Sequence, residues 1–458
     1  MNIRAVYAIL CLALAGGSQS ETAGERIIAH ATRSSVAWDF LAHLTDNIGP
    51  RLSGSRQAQA AVSWTTDQLS SWGFDTRNET INVPRWVRGE ERASLVSHYD
   101  QKIVITALGG SVATPLRGVT AEVIEVASLD ELNARGAEAR GKIVLFNNPF
   151  DMKLVKEGKT FEAYSKAVTY RSSGASHTAS AGGVATLVRS VATSSLRTPH
   201  TGSLCYVPGI AEIPAAAVST EDADLIHRLL AKGERVMMHL VLTPRTLPDI
   251  PSANVVFEIK GREKPEEVVV IGGHLDSWDL GTGATDNGSG VAMVVGAMRT
   301  LQQLELRPRR TIRAVLFMNE ENGLRGAYGY FGNVRSQLPN HVAAIESDAG
   351  SAAAFSIATT LPQTEIDRRL RPLLAPLQRI GVEKIFWQKN TGADTSPLVD
   401  SGVLGFGIVP VSEHYFDLHH ASSDTLDKIL PQDLANNTAA LAYLAWVMAE
   451  EPRRMDGK

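Results

Sequence analysis

Residues 271–290 read IGGHLDSWDLGTGATDNGSG, and the predicted fold depends on this stretch. They follow three consecutive valines at 268–270, so an apolar strand is predicted to end in a glycine-rich loop. That loop carries His274, Asp276 and Asp286, and zinc accepts imidazole and carboxylate ligands. Open α/β sheets bind ligands at the carboxyl ends of their strands. Taken alone, a His-x-Asp pair is equally typical of a hydrogen-bonded pair on a surface loop.

The composition is that of a globular protein, with 458 residues of which 44% are hydrophobic and 21% charged. This length is enough for two to three domains and for a sizeable core. The net charge is −4, with both signs interspersed and without a long basic run. That distribution argues against nucleic acid as a partner.

The N-terminus has the pattern of a secretory signal over residues 1–20. A basic start, MNIR, precedes an apolar run at 5–15 and the small-residue end GGSQS. The apolar run is too short to span a bilayer, so no stable membrane span is expected and a permanent anchor is the weaker alternative. We therefore predict a secreted or periplasmic protein, cleaved near residues 18–23. Removal of the signal leaves Cys205 as the one cysteine and allows no intramolecular disulfide.

Residues 21–84 are predicted to form the N-terminal part of the main domain, with two amphipathic helices followed by a strand. Residues 85–247 have short β-like runs between glycine and proline breaks, and they lack a dense cluster of ligand-type side chains. We interpret this segment as an inserted, mainly β domain. The stretch PRTLPDIP at 244–251 is predicted to be the linker that returns to the main domain.

The remaining residues, 248–458, alternate between predicted strands and helices. The strands are predicted at 253–259, 267–271, 311–318, 341–347, 353–358 and 403–409, and the helices at 289–306, 324–337, 365–380 and 431–450. Alternation with apolar strands predicts an α/β fold with a mixed, mostly parallel sheet flanked by helices.

Acids and histidines recur where these strands end. Glu320 and Glu321 follow one strand, Asp348 follows the next, and His419 and His420 follow the last. Each has an ordinary explanation as a helix start, a turn cap, or a core or surface residue. Chance does not place them at the ends of successive strands, so together they predict one site.

The ordered set of motifs resembles the five motifs of the co-catalytic dizinc exopeptidases. This family includes the bacterial leucyl aminopeptidases and the plasma glutamate carboxypeptidases, and the motifs here are most similar to the second group. The resemblance covers nearly the whole chain, and residues 85–247 resemble the protease-associated insert. It is carried by GGHLDSWD at 272–279, ESDAG at 346–350, GADTSP at 392–397, and HH at 419–420 followed by DT at 424–425.

The resemblance implies two zinc ions bridged by Asp286. His274 and Asp348 would complete one site, and Glu321 and His420 the other. Glu320 would be the general base that takes a proton from water and delivers it to the leaving amine. The resemblance also implies a cis peptide bond after Asp286. Asp276 would orient His274 through the second imidazole nitrogen, and Asp424 would do the same near His420.

The implied activity is hydrolysis of dipeptides or short peptides by an exported zinc exopeptidase of the carboxypeptidase or dipeptidase type. An aminopeptidase of the same family is the alternative. A non-catalytic binding protein on the same fold is a further alternative, and the complete ligand set argues against it. His419, Tyr415 and Ser396 are candidate substrate contacts, and the resemblance suggests a homodimer.

Overall fold

The computed structural model describes residues 21–457. The predicted signal peptide, residues 1–20, lies outside the described residues. The strands, in chain order, are β1 Asp75–Val87, β2 Glu91–Leu95, β3 Gln101–Ile103, β4 Ile105–Ala107, β5 Val119–Val126, β6 Ile143–Phe146, β7 Ala185–Arg189, β8 Ala215–Val218, β9 Met237–Leu242, β10 Arg245–Ile259, β11 Lys264–His274, β12 Arg310–Phe317, β13 His341–Glu346, β14 Ala354–Thr359, β15 Lys384–Trp387 and β16 Leu404–Pro410.

Fourteen α-helices accompany these strands within the described residues. They are α1 Ala23–Ala31, α2 Val36–Ala42, α3 Arg56–Ser71, α4 Leu129–Ala134, α5 Gly136–Ala139, α6 Met152–Lys156, α7 Thr160–Ser180, α8 Thr220–Ala231, α9 Ser289–Gln303, α10 Arg325–Val334, α11 Gln363–Glu365, α12 Arg371–Leu374, α13 Ser396–Asp400 and α14 Pro431–Glu450. Short 3₁₀ or π segments extend several of them, at His43–Ile48, Ala284–Gly288, Arg335–Asn340, Ile366–Leu370, Ala375–Ile380, Tyr415–Asp417 and Leu426–Lys428.

The main sheet confirms the predicted mixed α/β fold. Its eight strands lie in the order β1-β10-β12-β11-β13-β16-β14-β15. The central strands β12, β11, β13 and β16 run parallel to one another, as does the edge pair β14 and β15. The ladders of β10 with β1 and β12, and of β14 with β16, are antiparallel. The parallel centre brings the carboxyl ends of four strands to one edge.

Strand β11 is buried on both faces, which explains its continuous apolar run. Val269 and Ile271 pack into a core with α1, α2, α3, α9 and α14. Val268 and Val270 pack into a second core with α10 and α13 on the opposite face. Strands covered by helices on both sides lose the alternation of polar and apolar residues that half-exposed strands keep. The valine run is therefore a direct consequence of the layered architecture.

The second sheet lies within residues 91–242, in the order β3-β2-β9-β5-β6-β7-β8-β4. The segment is mixed rather than mainly β as predicted, because helices α4 to α8 accompany its strands. Helix α7 alone has 21 residues. Its buried positions are mostly alanine, serine, threonine and glycine. The helix therefore lacks the large apolar stripe that reveals a helix in sequence.

The predicted return linker at 244–251 is wrong, because these residues form the first half of β10. They pair with β1 over Val83↔Ile250 to Val87↔Arg245. Pro248 and Pro251 are tolerated there because β12 begins to pair with β10 only at Val255. The β1–β10 ladder thus runs past the predicted domain boundaries at 84 and 247. Over residues 21–457, no helix has the length and apolar character needed to cross a membrane.

Candidate metal centre

The five predicted ligands converge at the carboxyl edge of the main sheet. His274 is the last residue of β11, and Asp286 lies in the turn that leads into α9. Glu321 follows β12, Asp348 follows β13, and His420 lies in the loop between β16 and α14. Because β12, β11, β13 and β16 are parallel, loops that follow them meet at the same edge.

Asp286 lies between two groups of ligands. Its Oδ1 atom is 3.2 Å from His274 Nε2, which is 3.3 Å from Asp348 Oδ1. Its Oδ2 atom is 3.2 Å from His420 Nε2, which is 3.1 Å from Glu321 Oε2. Each half therefore combines one imidazole, one carboxylate and one oxygen of Asp286. This is the donor arrangement expected for two metal ions bridged by a carboxylate.

Two buried polar atoms at this centre lack hydrogen-bond partners within the described chain and are placed to bind a metal ion. His274 Nε2 and Asp348 Oδ1 are buried, and within residues 21–457 neither has a hydrogen-bond partner. Buried polar atoms are almost always paired, so atoms left unpaired and aimed at one point indicate a missing ligand. Imidazole nitrogen with carboxylate oxygen is a donor set that suits zinc. These residues therefore fit the predicted metal.

The electrostatics of the site also favour a cation between these carboxylates. Burial, with the Asp286 carboxylate second, raises the pKa of Glu321 well above its ordinary value. Burial opposes charge on His274, but Asp348 and Asp286 outweigh it and raise the pKa of that imidazole well above its ordinary value. Burial acts against ionisation of Asp286 too, yet His274 and His420 hold its pKa well below the ordinary value. Carboxylates gathered this closely repel one another unless positive charge lies between them.

Asp276 faces the second nitrogen of His274 with its backbone carbonyl rather than with its carboxylate. The backbone carbonyl of Asp276 lies 3.0 Å from His274 Nδ1, whereas its carboxylate oxygen Oδ1 is 3.8 Å away. The carboxylate instead accepts hydrogen bonds from the backbone N–H groups of Asn319 and Glu320, at 2.8 and 3.2 Å. The side chain therefore positions the loop that carries Glu320 and Glu321. A proton on Nδ1 of His274 leaves Nε2 free to bind metal.

Asp424 supports Asp286 rather than His420. Its two carboxylate oxygens accept from the backbone N–H groups of Thr285 and Asp286, at 2.7 and 3.0 Å. The Nδ1 atom of His420 faces the carbonyl of Thr201 instead, at 3.3 Å. The expected partner of His420 is therefore replaced by a backbone group from the 85–247 segment.

The backbone around Asp286 is tightly constrained. The Asp286–Asn287 peptide bond is cis, as the resemblance implied. The Asn287 side chain donates to the Ser347 carbonyl at 2.8 Å and accepts from the Gly290 N–H at 3.0 Å. A Cβ at Gly290 would lie 2.1 Å from the Ser347 carbonyl oxygen, so only glycine allows this close approach.

Arg51 is a supporting residue that the sequence did not reveal. Its guanidinium donates to the carbonyls of Leu275, Gly49, Thr282 and Gly283 at 2.6–3.0 Å, and its side chain is fully buried. Burial lowers the pKa of Arg51 to about 10 despite the surrounding carboxylates. A single arginine in a turn carries no sequence signal for this role, because three of its four carbonyl partners are more than 200 positions away.

A cavity of about 560 Å³ opens above the metal centre. This volume is within the range of small-molecule sites. Glu320 lines the cavity beside Asp286, Glu321 and Asp348. Burial raises the pKa of Glu320 well above its ordinary value, with His274 acting in the opposite direction. A carboxyl group at this position, beside the ligands and facing the cavity, is placed to act as a general acid or base.

The structure brings two of the three predicted substrate contacts to the cavity. Tyr415 and His419 line it. His419 stacks on His420 with ring centroids 3.5 Å apart, and its Nε2 atom is 3.7 Å from Asp286 Oδ2. Ser396 is not among the residues that line the cavity, so the structure does not bring the third predicted contact to it. Its hydroxyl donates to the Ala393 carbonyl at 2.7 Å, one turn earlier.

His419 also belongs to one of two ligand-type groups that lie close enough to hold a metal. Within the described part of the chain these groups are Asp286, His419, His420 and His274, Asp286, Asp348. Glu321 is nevertheless well oriented as a ligand, because its Oε1 accepts from the Trp278 N–H at 3.1 Å and leaves Oε2 toward His420.

Side chains from α7 complete the cavity wall. Phe161, Tyr164, Ser165 and Arg171 all line it. The 85–247 segment therefore contributes to the site, although the sequence pattern placed no site residue in that segment. These residues could be found only from the structure, because neither their types nor their spacing form a known metal or catalytic motif.

Comparison with known proteins agrees with this geometry. The family model described as Peptidase family M28 matches residues 254–445. Carboxypeptidase Q of Mus musculus is 36% identical over 418 residues, which cover 90% of this chain and 86% of that protein. The chain belongs to peptidase family M28.

Solved structures place this M28 chain in the same fold. It is similar to a peptidase M28 precursor from Shewanella amazonensis SB2B, with a TM-score of 0.88 and 38% identity over 94% of this chain and 96% of that one. The zinc aminopeptidase BSAP from Bacillus subtilis has a TM-score of 0.67 and 18% identity, over 92% and 97% of the two chains. At that identity the likeness shows the fold alone. The mixed α/β fold and membership of a metallopeptidase family are thus established.

Proposed function

We propose that this M28 metallopeptidase is a dizinc exopeptidase that hydrolyses dipeptides or short peptides from the carboxyl side. One observation carries the proposal. The two oxygens of Asp286 face separate pairs of one histidine and one carboxylate, at 3.1–3.3 Å between successive ligand atoms. Two ions bridged by Asp286 account for every one of these groups.

The donor set supports zinc as the metal. His274 and Asp348 would hold one ion, and His420 and Glu321 the other, with Asp286 shared. When bound, the metal supplies an activated water and polarises the scissile carbonyl. The zinc aminopeptidase BSAP, which shares the fold, is consistent with this choice.

Glu320 is proposed as the general base. It accepts a proton as the water oxygen bonds to the scissile carbonyl carbon, and it returns that proton to the amine nitrogen as the C–N bond breaks. Its carboxyl group lines the cavity beside the ligands, and Asp276 holds its backbone N–H at 3.2 Å. The raised pKa of Glu320 suits a group that must both accept and release a proton.

The carboxypeptidase assignment is supported by the relatives of the whole chain. Carboxypeptidase Q is 36% identical over 90% of this chain, whereas aminopeptidase YwaD of Bacillus subtilis is 22% identical. The fold and the metal ligands do not distinguish these activities, because the difference depends on whether the cavity accepts a free carboxylate or a free amine. Aminopeptidase activity is therefore the competing outcome of the test.

We also propose export, an inserted domain and a homodimer. Export is supported by the signal pattern in residues 1–20. An inserted domain at 85–247 is supported by the separate second sheet within 91–242. A homodimer is supported by the family resemblance alone, and light scattering on the purified protein would test it.

The deciding experiment measures zinc content and hydrolysis on the same purified protein. The substrates are a small set of dipeptides, each also prepared with a blocked amino terminus and with an amidated carboxyl terminus. We expect two zinc ions per chain and loss of cleavage on amidation. Loss only on N-terminal blocking would establish an aminopeptidase, and a zinc-loaded protein that cleaves none of them would contradict the proposed function.

A further inference from the structure

Helix α7 carries Tyr164 to the wall of the cavity above the metal centre. Its ring stacks on Phe416 with centroids 4.8 Å apart and meets His419 edge-on at 5.2 Å. Burial raises the pKa of Tyr164 above its ordinary value, and the nearby charge of Arg171 offsets only part of that increase. The phenol therefore keeps its proton at neutral pH. The side chain is therefore held next to His419 by aromatic packing.

Arg171 determines the direction of the Tyr164 hydroxyl. The two residues are seven positions apart, so they lie on one face of α7. Arg171 Nη2 donates to Tyr164 Oη at 2.7 Å. Arginine has no acceptor, so the phenolic oxygen accepts and its own proton remains available. Among residues 21–457 that proton has no hydrogen-bond acceptor, and Tyr164 is one of the residues that line the cavity.

The position of Arg171 is itself fixed by its surroundings. Its Nη1 atom donates to the Thr201 carbonyl at 3.4 Å and lies 3.3 Å from His420 Nδ1. A Cβ at Gly202 would lie 2.4 Å from the guanidinium carbon, so the guanidinium packs directly on that glycine. Within the described chain, Arg171 is also the one lysine or arginine that lines the cavity.

We propose that Tyr164 is a catalytic residue that donates a hydrogen bond to the scissile carbonyl oxygen as that oxygen becomes negative, with Arg171 as its positioning residue. The inference rests on the proposed peptide hydrolysis. The carboxylates that line the cavity repel an oxyanion. A neutral hydrogen-bond donor that is already oriented beside the metal ligands would therefore stabilise the negative charge that develops on the carbonyl oxygen. Tyr415 also lines the cavity, but no residue of the described chain bonds to its hydroxyl and orients it.

The first test compares Tyr164→Phe with Tyr170→Phe in the zinc-loaded protein. Both variants remove one hydroxyl from α7, but the Tyr170 ring stacks on Phe146 at 5.6 Å, away from the cavity. We expect Tyr164→Phe to lower kcat by about 100-fold with KM nearly unchanged, as for loss of one oxyanion donor. Tyr170→Phe should retain wild-type kinetics, and both should retain the wild-type zinc content. A Tyr164→Phe enzyme with wild-type kcat would overturn the proposal.

The role of Arg171 is tested by a double-mutant cycle on kcat. Arg171→Met should lower kcat as Tyr164→Phe does, and it should add little in the Tyr164→Phe background because both act through one hydroxyl. Arg171→Lys should restore part of the loss, since an ammonium can still donate to the phenol. Independent, additive losses would show that Arg171 does not act through Tyr164.

A binding measurement separates this proposal from the proposed function. The probe is a phosphinic dipeptide analogue, whose tetrahedral phosphorus carries oxygens like those of the transition state, with free leucine as the ground-state comparison. Tyr164→Phe should weaken phosphinate binding by roughly 10-fold or more and leave leucine binding unchanged. This result would stand even if the wild type cleaved none of the peptides. Equal phosphinate affinity in wild type and variant would reject the role of Tyr164.

Discussion

Asp286 is the residue on which both halves of the metal centre depend. One carboxylate oxygen faces His274 and the other faces His420, each at 3.2 Å. Its backbone N–H is held by Asp424, and the peptide bond that follows it is cis. Hydrogen bonds from the Asp286 N–H to Asp424 and from the Asn287 side chain to the Ser347 carbonyl therefore hold this part of the chain in place.

Glu320 gives the clearest prediction at the scale of a residue. Glu320→Gln preserves the shape and burial of the side chain but cannot accept a proton, so we expect kcat to fall by roughly 10²- to 10⁴-fold. Zinc content, measured by atomic absorption, should remain that of the wild type. Glu413→Gln is the matched control, because Glu413 is exposed and does not line the cavity. Full activity in Glu320→Gln would show that another group moves the proton.

At the scale of the element, the loop 275–283 depends on Arg51. This loop joins β11 to the turn at Asp286, and its carbonyl groups point at a fully buried guanidinium. Gly283 has a φ of 60°, which glycine adopts without strain. Arg51, which is more than 200 positions away in the chain, therefore supplies the hydrogen-bond donors that these carbonyls would otherwise find in a helix or a sheet.

Arg51→Met should destabilise the protein, because the carbonyls of Leu275, Thr282 and Gly283 would be left buried without donors. We expect a loss of about 3 kcal/mol or more in the free energy of unfolding. Urea unfolding of the zinc-loaded protein measures this loss. The free energy of unfolding of Arg51→Lys should lie between those of the wild type and of Arg51→Met, since one ammonium cannot reach all the carbonyls. A stability equal to wild type in Arg51→Met would mean that water replaces the guanidinium.

The buried side chain of His200 predicts how the stability of the protein changes with pH. Burial lowers the pKa of His200 to about 4 from an ordinary 6.5, while its Nδ1 atom bonds the His419 carbonyl at 2.7 Å. Between these values the unfolded chain binds a proton that the folded chain does not, so this histidine lowers stability as the pH falls from about 6.5 to about 4. The full effect is about 3 kcal/mol.

His200→Asn tests this assignment, because the amide can still donate to the His419 carbonyl but does not titrate. The difference in unfolding free energy between wild type and variant, measured by urea unfolding across this range, should change in favour of the variant as the pH falls. A difference that is constant with pH would show that His200 becomes protonated in the folded protein.

At the scale of the whole molecule, the metal centre joins the two sheets. Thr201 and His200, which follow β7, bond the backbone of His420 and His419, which follow β16. Helix α7 contributes residues to the cavity wall. The β1–β10 ladder also pairs the residues that flank the 85–247 segment. The site is therefore assembled from both halves of the chain, and ligand binding there should affect the stability of both.

Chelation of the zinc should lower the apparent Tm of the whole protein, because an ion that binds only the folded state stabilises it by mass action. Differential scanning calorimetry with and without a chelator measures the shift, and added zinc should reverse it. Asp286→Ala should show the low Tm in both conditions. A chelator that left the wild-type Tm unchanged would mean that the metal contributes nothing to folding.

The parallel core of the sheet and the predicted ligands could both be found before folding. Apolar strands such as 268–271 are readable as runs, and the ligands stand in short motifs, at or after these strands, that resemble those of the family. The converging positions of His274, Asp286, Glu321, Asp348 and His420 agree with that prediction.

The side chains that surround those ligands could be identified only from the folded structure. Arg51 bonds carbonyls more than 200 positions away, Tyr164 and Arg171 reach the cavity from the 85–247 segment, and the Ser396 hydroxyl bonds the Ala393 carbonyl. Helix α7 was missed because it buries small residues against β6 and β7 rather than a wide apolar stripe. Long-range packing of this kind leaves no periodic pattern in a sequence, so the residues of the cavity wall can be identified only from the folded structure.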